Sequence, residues 1–240
     1  MKNSPKKKYK AIFVSDIHLG TKGCKAEKLL EFLHSFEAEH LFLVGDIIDG
    51  WALRRRHYWP KSHTEVVRRI LKLSEKMNVI YLPGNHDEFV RPFLKEEMKI
   101  ANVEICDSYV YEGIYVAHGD SFDLTMRIPT PVINFFAGLW DWIPHSDSQS
   151  SFTDVMYKWM GTERTIVKWV KRKGYKGCLT GHTHSPKIKG LYMNCGDWVS
   201  NCSYIAYTEN STWELKYYEE DRNTTTNVQD LVEAIESQRK

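Results

Sequence analysis

The chain has 240 residues, enough for one sizeable core, and its 42% hydrophobic and 27% charged residues are ordinary for a globular protein. A formal net charge of +2 excludes an acidic or basic excess strong enough to select a partner by itself. No apolar run approaches the roughly 18 residues that span a bilayer. The strand-like AIFVSD after the basic N-terminus is too short for a signal-peptide core, so we expect a cytoplasmic protein. Five cysteines without a CxxC pair indicate reduced thiols.

The first half of the chain alternates predicted strands and helices. Short apolar runs predict strands over 9–16, 40–46 and 78–87, and apolar residues at helical spacing predict helices over 26–36 and 63–77. This β-α-β-α-β order predicts a parallel or mixed sheet covered by helices. Ligands of such sheets bind at the carboxyl ends of the strands.

The second half predicts strands over 112–120 and 175–184, and then three successive antiparallel strands within 191–218. Residues 122–161 interrupt this order with an aromatic, proline-punctuated segment. We interpret that segment as a helical cap inserted between two core strands. The polar stretch 223–240 predicts a linker and a short C-terminal helix.

These boundaries divide the chain into three parts. The core is expected to comprise residues 1–121 and 162–222, the cap residues 122–161, and the tail residues 223–240. The tail is expected to lie outside the core.

Five predicted strands end in polar donors, in the segments SDIH (15–18), GDIID (45–49), GNHD (84–87), HGD (118–120) and GHTH (181–184). A single Asp after a strand usually caps a turn or helix. Five such ends on one edge of a sheet would crowd carboxylates and imidazoles, whose desolvation is costly without bound cations. The conjunction therefore predicts a metal site.

The number of donors predicts two divalent ions. Asp, His and Asn ligands suit manganese, our first choice, with iron(II) or zinc as alternatives. A water between two such ions would lose a proton near neutral pH and could attack phosphorus in line. Paired cations would also neutralise charge on phosphoryl oxygens, which favours hydrolysis of phosphate esters.

These five segments, in this order over residues 16–184, resemble the signature of calcineurin-like metallophosphoesterases. The resemblance implies an α/β fold with two mixed β-sheets packed as a sandwich, flanked by helices, and a dinuclear site at the strand ends. It assigns one metal to Asp16, His18, Asp46 and His184, and the other to Asp46, Asn85, His118 and His182.

The resemblance also implies roles for residues near the metals. His86 would steady the phosphoryl group or protonate the leaving oxygen, and Asp87 would orient His86. Asp49 and Asp120 are candidates for supporting the ligands, with a capping role as the alternative.

Longer stretches narrow the resemblance. The segments LVGDIIDGWALRRRHYWP, LPGNHDEF, VAHGDSFD and YMNCGDW resemble the branch related to UDP-2,3-diacylglucosamine hydrolases. Those enzymes cleave a pyrophosphate, release UMP and a lipid phosphate, and carry a helical insertion. They place Arg after the metal-binding Asn, where this chain has His86, so another phosphodiester or pyrophosphate is an equal alternative.

Substrate-binding candidates come from two segments. Arg54, Arg55 and Arg56 follow a metal-binding segment and could meet a second phosphate, or could form a solvated run. In the cap, Trp140 and Trp142 belong to an aromatic cluster that could line an acyl groove or rest on a membrane, or could simply pack the cap onto the core.

The expected function is a dinuclear metal-dependent hydrolase of a phosphodiester or pyrophosphate bond, foremost in a UDP-diacylglucosamine-like or other nucleotide–lipid substrate. The alternatives are a nucleotide phosphodiesterase or phosphatase on a soluble substrate, and a metal-free interaction module. We expect no nucleic-acid partner, because no long basic stripe runs through the strand ends. Peripheral contact with the inner face of the membrane and a homodimer are further expectations.

Overall fold

A computed structural model describes residues 6–96, 99–123, 162–218 and 224–225 of the chain. Within these residues the α-helices are α1 (Ala26–Ser35), α2 (Gly50–Arg55), α3 (Lys61–Leu73) and α4 (Thr162–Lys173). Short 3₁₀ helices cover Glu88–Glu96 and Asp120–Phe122.

The described strands form two mixed sheets. The larger sheet contains β1 (Lys7–Val14), β2 (Phe36–Val44), β3 (Asn78–Leu82), β4 (Lys99–Ile100), β5 (Val103–Ile105), β11 (Ser203–Tyr207), β12 (Trp213–Tyr217) and β13 (Thr224–Thr225). Its spatial order is β13-β12-β11-β1-β2-β3-β5-β4. Strands β1, β2, β3 and β5 are parallel, so the carboxyl ends of β1, β2 and β3 lie on the same edge.

The smaller sheet contains β6 (Tyr109–Tyr111), β7 (Ile114–Val116), β8 (Gly177–Thr180), β9 (Lys187–Lys189) and β10 (Tyr192–Asn194). Its order is β6-β7-β8-β10-β9, and β7, β8 and β10 are parallel. The HGD and GHTH segments follow β7 and β8, so they also share an edge.

Alternating side chains of the strands build the layers. On β1, Phe13 faces the smaller sheet and stacks on Phe42 at 4.5 Å between ring centroids, within a core that includes Val116 and Leu179. Its neighbour Ile12 faces the opposite way, toward α1 and α3. Helix α4 covers the outer face of the smaller sheet. The result is a β-sandwich flanked by helices.

The predicted fold class is confirmed: the molecule is an α/β sandwich of two mixed sheets flanked by helices. One detail of the expected order is wrong, because β10 joins β8 in the smaller sheet while β11 and β12 pair in the larger one. The three strands predicted as successive antiparallel neighbours therefore divide between the two layers.

The predicted cap and tail fall mostly outside the described residues. Phe122 at the start of the predicted cap packs against Trp169 of α4, with ring centroids 5.2 Å apart. In the predicted linker, Thr224–Thr225 pairs with β12 as an edge strand. Trp140 and Trp142 lie in the part of the chain that is not described.

Among the described helices, none combines the length and the apolar composition that crossing a bilayer requires.

Candidate metal centre

The polar segments that follow β1, β2 and β8 are joined by hydrogen bonds at one end of the sandwich. Asp16 N donates to Gly45 O at 3.0 Å, and His18 N donates to Asp46 O at 2.9 Å, so the segments after β1 and β2 run side by side. His182 N donates to the Asp16 carboxylate at 2.9 Å, which ties the smaller sheet to the larger one. The segments predicted to meet are therefore brought together.

The backbone of these segments is unusual. Five candidate ligands have a left-handed backbone conformation with positive φ: Asp16 (53°), His18 (54°), Asp46 (54°), His182 (67°) and His184 (51°). Non-glycine residues adopt this region at a cost of about 1–3 kcal/mol in strained cases, and such residues cluster at functional sites. Here the strained conformation lies at the strand ends that form the candidate site.

Two glycines are required because side chains approach their α-carbons closely. A Cβ on Gly84 would collide with the Asp46 carboxylate, and a Cβ on Gly181 would collide with Ser15 and Asp16. The glycines that precede Asn85 and His182 therefore leave room for the carboxylates.

One cluster of donors joins β1 to the segment after β8. Asp16 Oδ1 lies 3.1 Å from His184 Nε2, and His18 Nε2 lies 3.4 Å from the same His184 atom. His18 Nδ1 lies 3.2 Å from Asp49 Oδ2, a contact that favours the proton on Nδ1 and leaves the Nε2 lone pair facing the cluster. This arrangement is the one that metal-binding imidazoles adopt.

A second cluster centres on Asp46. Its Oδ2 lies 3.4 Å from His118 Nε2 and 3.9 Å from His18 Nε2, so one carboxylate reaches both clusters. His118 Nδ1 donates to Val44 O at 2.9 Å, which directs Nε2 toward Asp46. The His182 ring lies 5.2 Å from the His118 ring. The two clusters and the adjacent His86 together comprise seven residues, which we call the polar cage: Asp16, His18, Asp46, His86, His118, His182 and His184.

The donors fit divalent cations. Among the described residues, three sets of ligand atoms lie within 4.8 Å of one another: Asp16–His18–His184, His18–Asp46–His86 and Asp16–Asp46–His118. Among the buried side-chain atoms that lack a well-aligned hydrogen bond, three belong to candidate ligands: Asp16 Oδ1, Asn85 Oδ1 and His118 Nε2. Asp16 Oδ1 and His118 Nε2 face only other groups of the two clusters, His184 Nε2 at 3.1 Å and Asp46 Oδ2 at 3.4 Å. Buried polar atoms are normally satisfied, so these orphaned atoms indicate that a cation completes the site.

The charges in the cage shift one another's protonation. Burial would raise the pKa of Asp16, but its close contact with the His184 imidazole and the charges of His118 and His184 outweigh burial and lower that pKa. Burial would lower the pKa of His118, but the Asp46 carboxylate outweighs burial and raises it to about 10. Without metal, a proton on His118 therefore neutralises Asp46.

This pKa predicts competition between protons and metal. At neutral pH, a divalent ion that binds His118 would have to displace its proton, so binding should release at least one proton and tighten as pH rises toward 10. Titration calorimetry at pH 7 in two buffers of different ionisation enthalpy measures the release. Affinity that is independent of pH, with no proton release, would contradict the assignment of His118 as a ligand.

The same shift predicts how the metal-free fold depends on pH. The folded pKa of His118 lies above its ordinary value of 6.5, so its stabilising contribution is fully present below about 6.5. The contribution is lost as pH rises through about 10.

Asp49 holds two imidazoles and begins a helix. Its Oδ2 lies 3.2 Å from His18 Nδ1 and 3.0 Å from His86 Nδ1, and its Oδ1 accepts a hydrogen bond from Ala52 N at 2.7 Å. Both roles considered for Asp49, support and capping, are therefore present. Burial would lower the pKa of His86, but contacts with Asp49 and the charge of Asp46 raise it.

The expectation that Asp87 orients His86 is corrected by the contacts that the Asp87 side chain makes. The buried Asp87 carboxylate accepts hydrogen bonds from Ile47 N (2.7 Å), Asp46 N (3.3 Å), Gly84 N and Tyr81 Oη. It is occupied with backbone donors because it lies beneath the segments after β2 and β3. The carboxylate that meets the His86 ring is that of Asp49.

Asp120 supports the site from a different direction. Arg91 Nη2 donates to Asp120 Oδ2 at 2.8 Å and to Pro83 O at 3.2 Å. The ion pair thus connects the segment after β7 to the segment after β3.

The sequence interpretation missed three polar residues behind the ligands. Asp123 Oδ2 lies 2.8 Å from His182 Nε2, and Asp197 Oδ2 lies 3.8 Å from His184 Nδ1. Asn194 Nδ2 donates to Gly181 O at 2.6 Å and so holds the segment that carries both imidazoles. The stretches HGDSFD and NCGDW contain the two acidic residues, and the part that both stretches play in the family resemblance was the available signal.

The predicted arginines are exposed. Arg54 and Arg55 lie at the end of α2, Arg56 follows it, and none of the three makes an ion pair with another described residue. Asp49 caps the N-terminus of α2 and contacts His18 and His86, so the helix that carries Arg54 and Arg55 is connected to the cage.

Comparison with known proteins identifies the family. The profile described as calcineurin-like phosphoesterase matches residues 9–186. Comparison with curated proteins finds no match. Among solved structures, the chain is similar to nuclease MPE of Pseudomonas putida, with 14% identity, a TM-score of 0.43 and coverage of 91% of this chain and 88% of that chain.

The chain is also similar to a dimetal phosphatase from Danio rerio, with 11% identity, a TM-score of 0.48 and coverage of 90% of this chain and 98% of that chain. At these TM-scores, neither structural similarity bears on the substrate. The family profile, in contrast, covers well over half of the chain and includes all five polar segments. The chain therefore belongs to the calcineurin-like phosphoesterase family and is a metal-dependent phosphoesterase.

Proposed function

We propose that the polar cage, together with Asn85, holds two divalent ions, foremost manganese, and that the enzyme hydrolyses a phosphodiester or pyrophosphate bond. The ligand sets are Asp16, His18, Asp46 and His184 for one ion, and Asp46, Asn85, His118 and His182 for the other. The observation that carries this proposal is the group of orphaned buried atoms on Asp16, Asn85 and His118. When bound, the ions would activate water near neutral pH and neutralise charge on the phosphoryl oxygens.

The charge balance of the cage suits an anionic substrate. The proposed ligands include two carboxylates, Asp16 and Asp46, and the rest are neutral imidazoles and one amide. Two divalent ions therefore leave a net positive site, which attracts a phosphate group. Four carboxylates would cancel the charge of two divalent ions and leave no net positive charge to attract the substrate.

His86 is proposed to contact the phosphoryl group or the leaving oxygen. Its Nε2 lies 4.0 Å from Asp46 Oδ2, at the margin of the cage, and its side chain is 25% exposed. Asp49 at Nδ1 and the perpendicular His18 ring, 4.8 Å away, hold the imidazole in place. A fixed, partly exposed imidazole can donate a hydrogen bond without reorganisation.

For the substrate we propose a UDP-diacylglucosamine-like or other nucleotide–lipid pyrophosphate. Support comes from the sequence segments around the metal-binding motifs and from the exposed Arg54, Arg55 and Arg56, which could bind a second phosphate. An acyl groove in the cap, a cytoplasmic location at the inner face of the membrane, and a homodimer stay predictions from sequence.

The proposal is tested by metal reconstitution and substrate comparison. Protein stripped with EDTA should lose hydrolysis of bis(p-nitrophenyl) phosphate, and two equivalents of Mn²⁺ per chain should restore it. Rates on UDP-diacylglucosamine, CDP-diacylglycerol and plain dinucleotide pyrophosphates then rank the substrates. Undiminished activity of metal-free protein would refute the mechanism, and equal rates on the water-soluble substrates would refute the lipid assignment.

A further inference from the structure

Two exposed aromatic side chains lie beside the polar cage. Trp51 is 37% exposed and Phe89 is 44% exposed. Both adjoin Gly50: Trp51 follows it in α2, and the Phe89 ring would lie 2.9 Å from a Cβ at that position. Gly50 N donates to His86 O at 3.0 Å, which fixes this surface against the segment after β3 that carries His86. We call Trp51 and Phe89 the aromatic ledge.

The ledge reaches the reacting region through His86. The ring centroids of Trp51 and His86 lie 4.3 Å apart with an interplanar angle of 37°. Helix α2, which carries Trp51, contributes no buried residue to the core. Core packing therefore does not account for a large aromatic side chain here, and the two adjoining rings leave apolar surface beside the cage that a ligand could cover.

Cationic groups lie one helical turn from the ledge. Arg54 and Arg55 follow Trp51 by three and four residues, a spacing that places side chains on the same helix face. Both are exposed, and neither forms an ion pair within the described ranges. A planar apolar surface next to guanidinium groups suits a ligand that combines an aromatic ring with phosphate.

We propose that the aromatic ledge binds the nucleobase of the substrate, with Arg54 or Arg55 at the phosphate that is not attacked. This inference rests on the proposed hydrolase function and deepens it by placing the nucleoside on the α2 side of the cage. An acyl chain is disfavoured as the occupant, because the two guanidinium groups beside Trp51 would have to be desolvated against hydrocarbon.

The test compares two ligands that differ by the base. Binding of 5′-AMP and ribose 5-phosphate to the manganese-loaded protein is measured by calorimetry, and the ratio of their dissociation constants isolates the base. In the wild type we expect AMP to bind roughly tenfold tighter, because stacking of one base on an aromatic side chain strengthens binding by about this factor or more. Trp51→Ala should reduce the ratio to near one, and Trp51→Phe should retain most of it.

The ligand pair separates base binding from support of His86. A loosened His86 would weaken both ligands equally, and an unchanged ratio in Trp51→Ala would overturn the proposal. Trp59→Ala is the matched control, since Trp59 is also exposed but packs near His63 and donates to Thr64. Its ratio should match the wild type.

Two further outcomes separate an acyl chain from a nucleobase as the occupant of the ledge, and separate failure of the ledge proposal from failure of the proposed hydrolase function. A loss of octyl phosphate binding in Trp51→Ala with an unchanged AMP ratio would assign the ledge to an acyl chain and overturn the proposal. Hydrolysis of bis(p-nitrophenyl) phosphate by the same preparation reports separately on the hydrolase function. An active wild type that does not distinguish AMP from ribose 5-phosphate would refute the ledge alone.

Discussion

Asp46→Ala is expected to lower kcat/KM for a phosphodiester by at least about a thousandfold and to reduce the bound manganese below two ions per chain. Asp46 Oδ2 faces both His118 and His18, at 3.4 and 3.9 Å, so its removal affects both proposed metal positions. Two-metal stabilisation of the transition state is worth several kcal/mol, and each 1.36 kcal/mol is a factor of ten in rate. Steady-state kinetics and metal analysis of the purified variant give the two measurements.

A surface carboxylate provides the control for Asp46→Ala. Asp107 is exposed and pairs at 3.4 Å with Arg91, so Asp107→Ala removes the same charge without reaching the cage. That variant should retain two manganese ions and near wild-type kcat/KM. Turnover of Asp46→Ala close to the wild type would exclude Asp46 as a shared ligand and would remove the basis of the mechanism.

Asp87→Ala is expected to cause the largest loss of stability, about 4 kcal/mol or more in the free energy of unfolding of the metal-free protein. The substitution leaves the N–H groups of Ile47 and Gly84 and the Tyr81 hydroxyl without their acceptor in a buried environment. Each unsatisfied buried donor costs about 1–3 kcal/mol. Urea denaturation in EDTA measures the loss without the contribution of metal binding.

Tyr81→Phe is the matched control for Asp87→Ala. It removes a single hydrogen bond to the same carboxylate and retains the ring, so we expect a loss of about 1 kcal/mol. Equal stability of Asp87→Ala and the wild type would show that the carboxylate is not the acceptor that joins the segments after β2 and β3. In that case the contacts assigned to Asp87 would lose their basis, and the expectation that Asp87 orients His86 would stand again.

The contrast between Asp49 and Asp87 shows how far local sequence carries a prediction. Asp87 follows His86 directly, so adjacency in the chain made it the natural partner of that imidazole. In the structure Asp87 faces inward to the backbone donors of Ile47 and Gly84, while Asp49 arrives from the neighbouring strand end to meet His86. Which carboxylate reaches an imidazole depends on how β2 and β3 lie side by side, and that pairing cannot be read from either segment alone.

The prediction of strands from local sequence has a similar limit, because it does not tell which sheet a strand joins. The segment YMNCGDWVS has the apolar character of a strand, and Tyr192–Asn194 is one. Its partner, however, is β8 in the smaller sheet, and SYIAY pairs beside β1 in the larger sheet. Strand character is set by local side chains, whereas the choice between two sheets is set by which apolar face each strand can bury.

The sequence by itself determined the family, the alternation of strands and helices in the first half of the chain, and the residue types of the proposed metal ligands. The family and the ligand types depend on five short segments, which can be recognised from their residues and their order along the chain. Only the tertiary structure decided which carboxylate supports which imidazole, that Asp123, Asn194 and Asp197 stand behind the GHTH segment, and that Trp51 lies on His86. The physical reason is that those contacts form between segments on different strands and sheets. Their distances are fixed by sheet pairing and sandwich packing, and not by the spacing of residues along the chain.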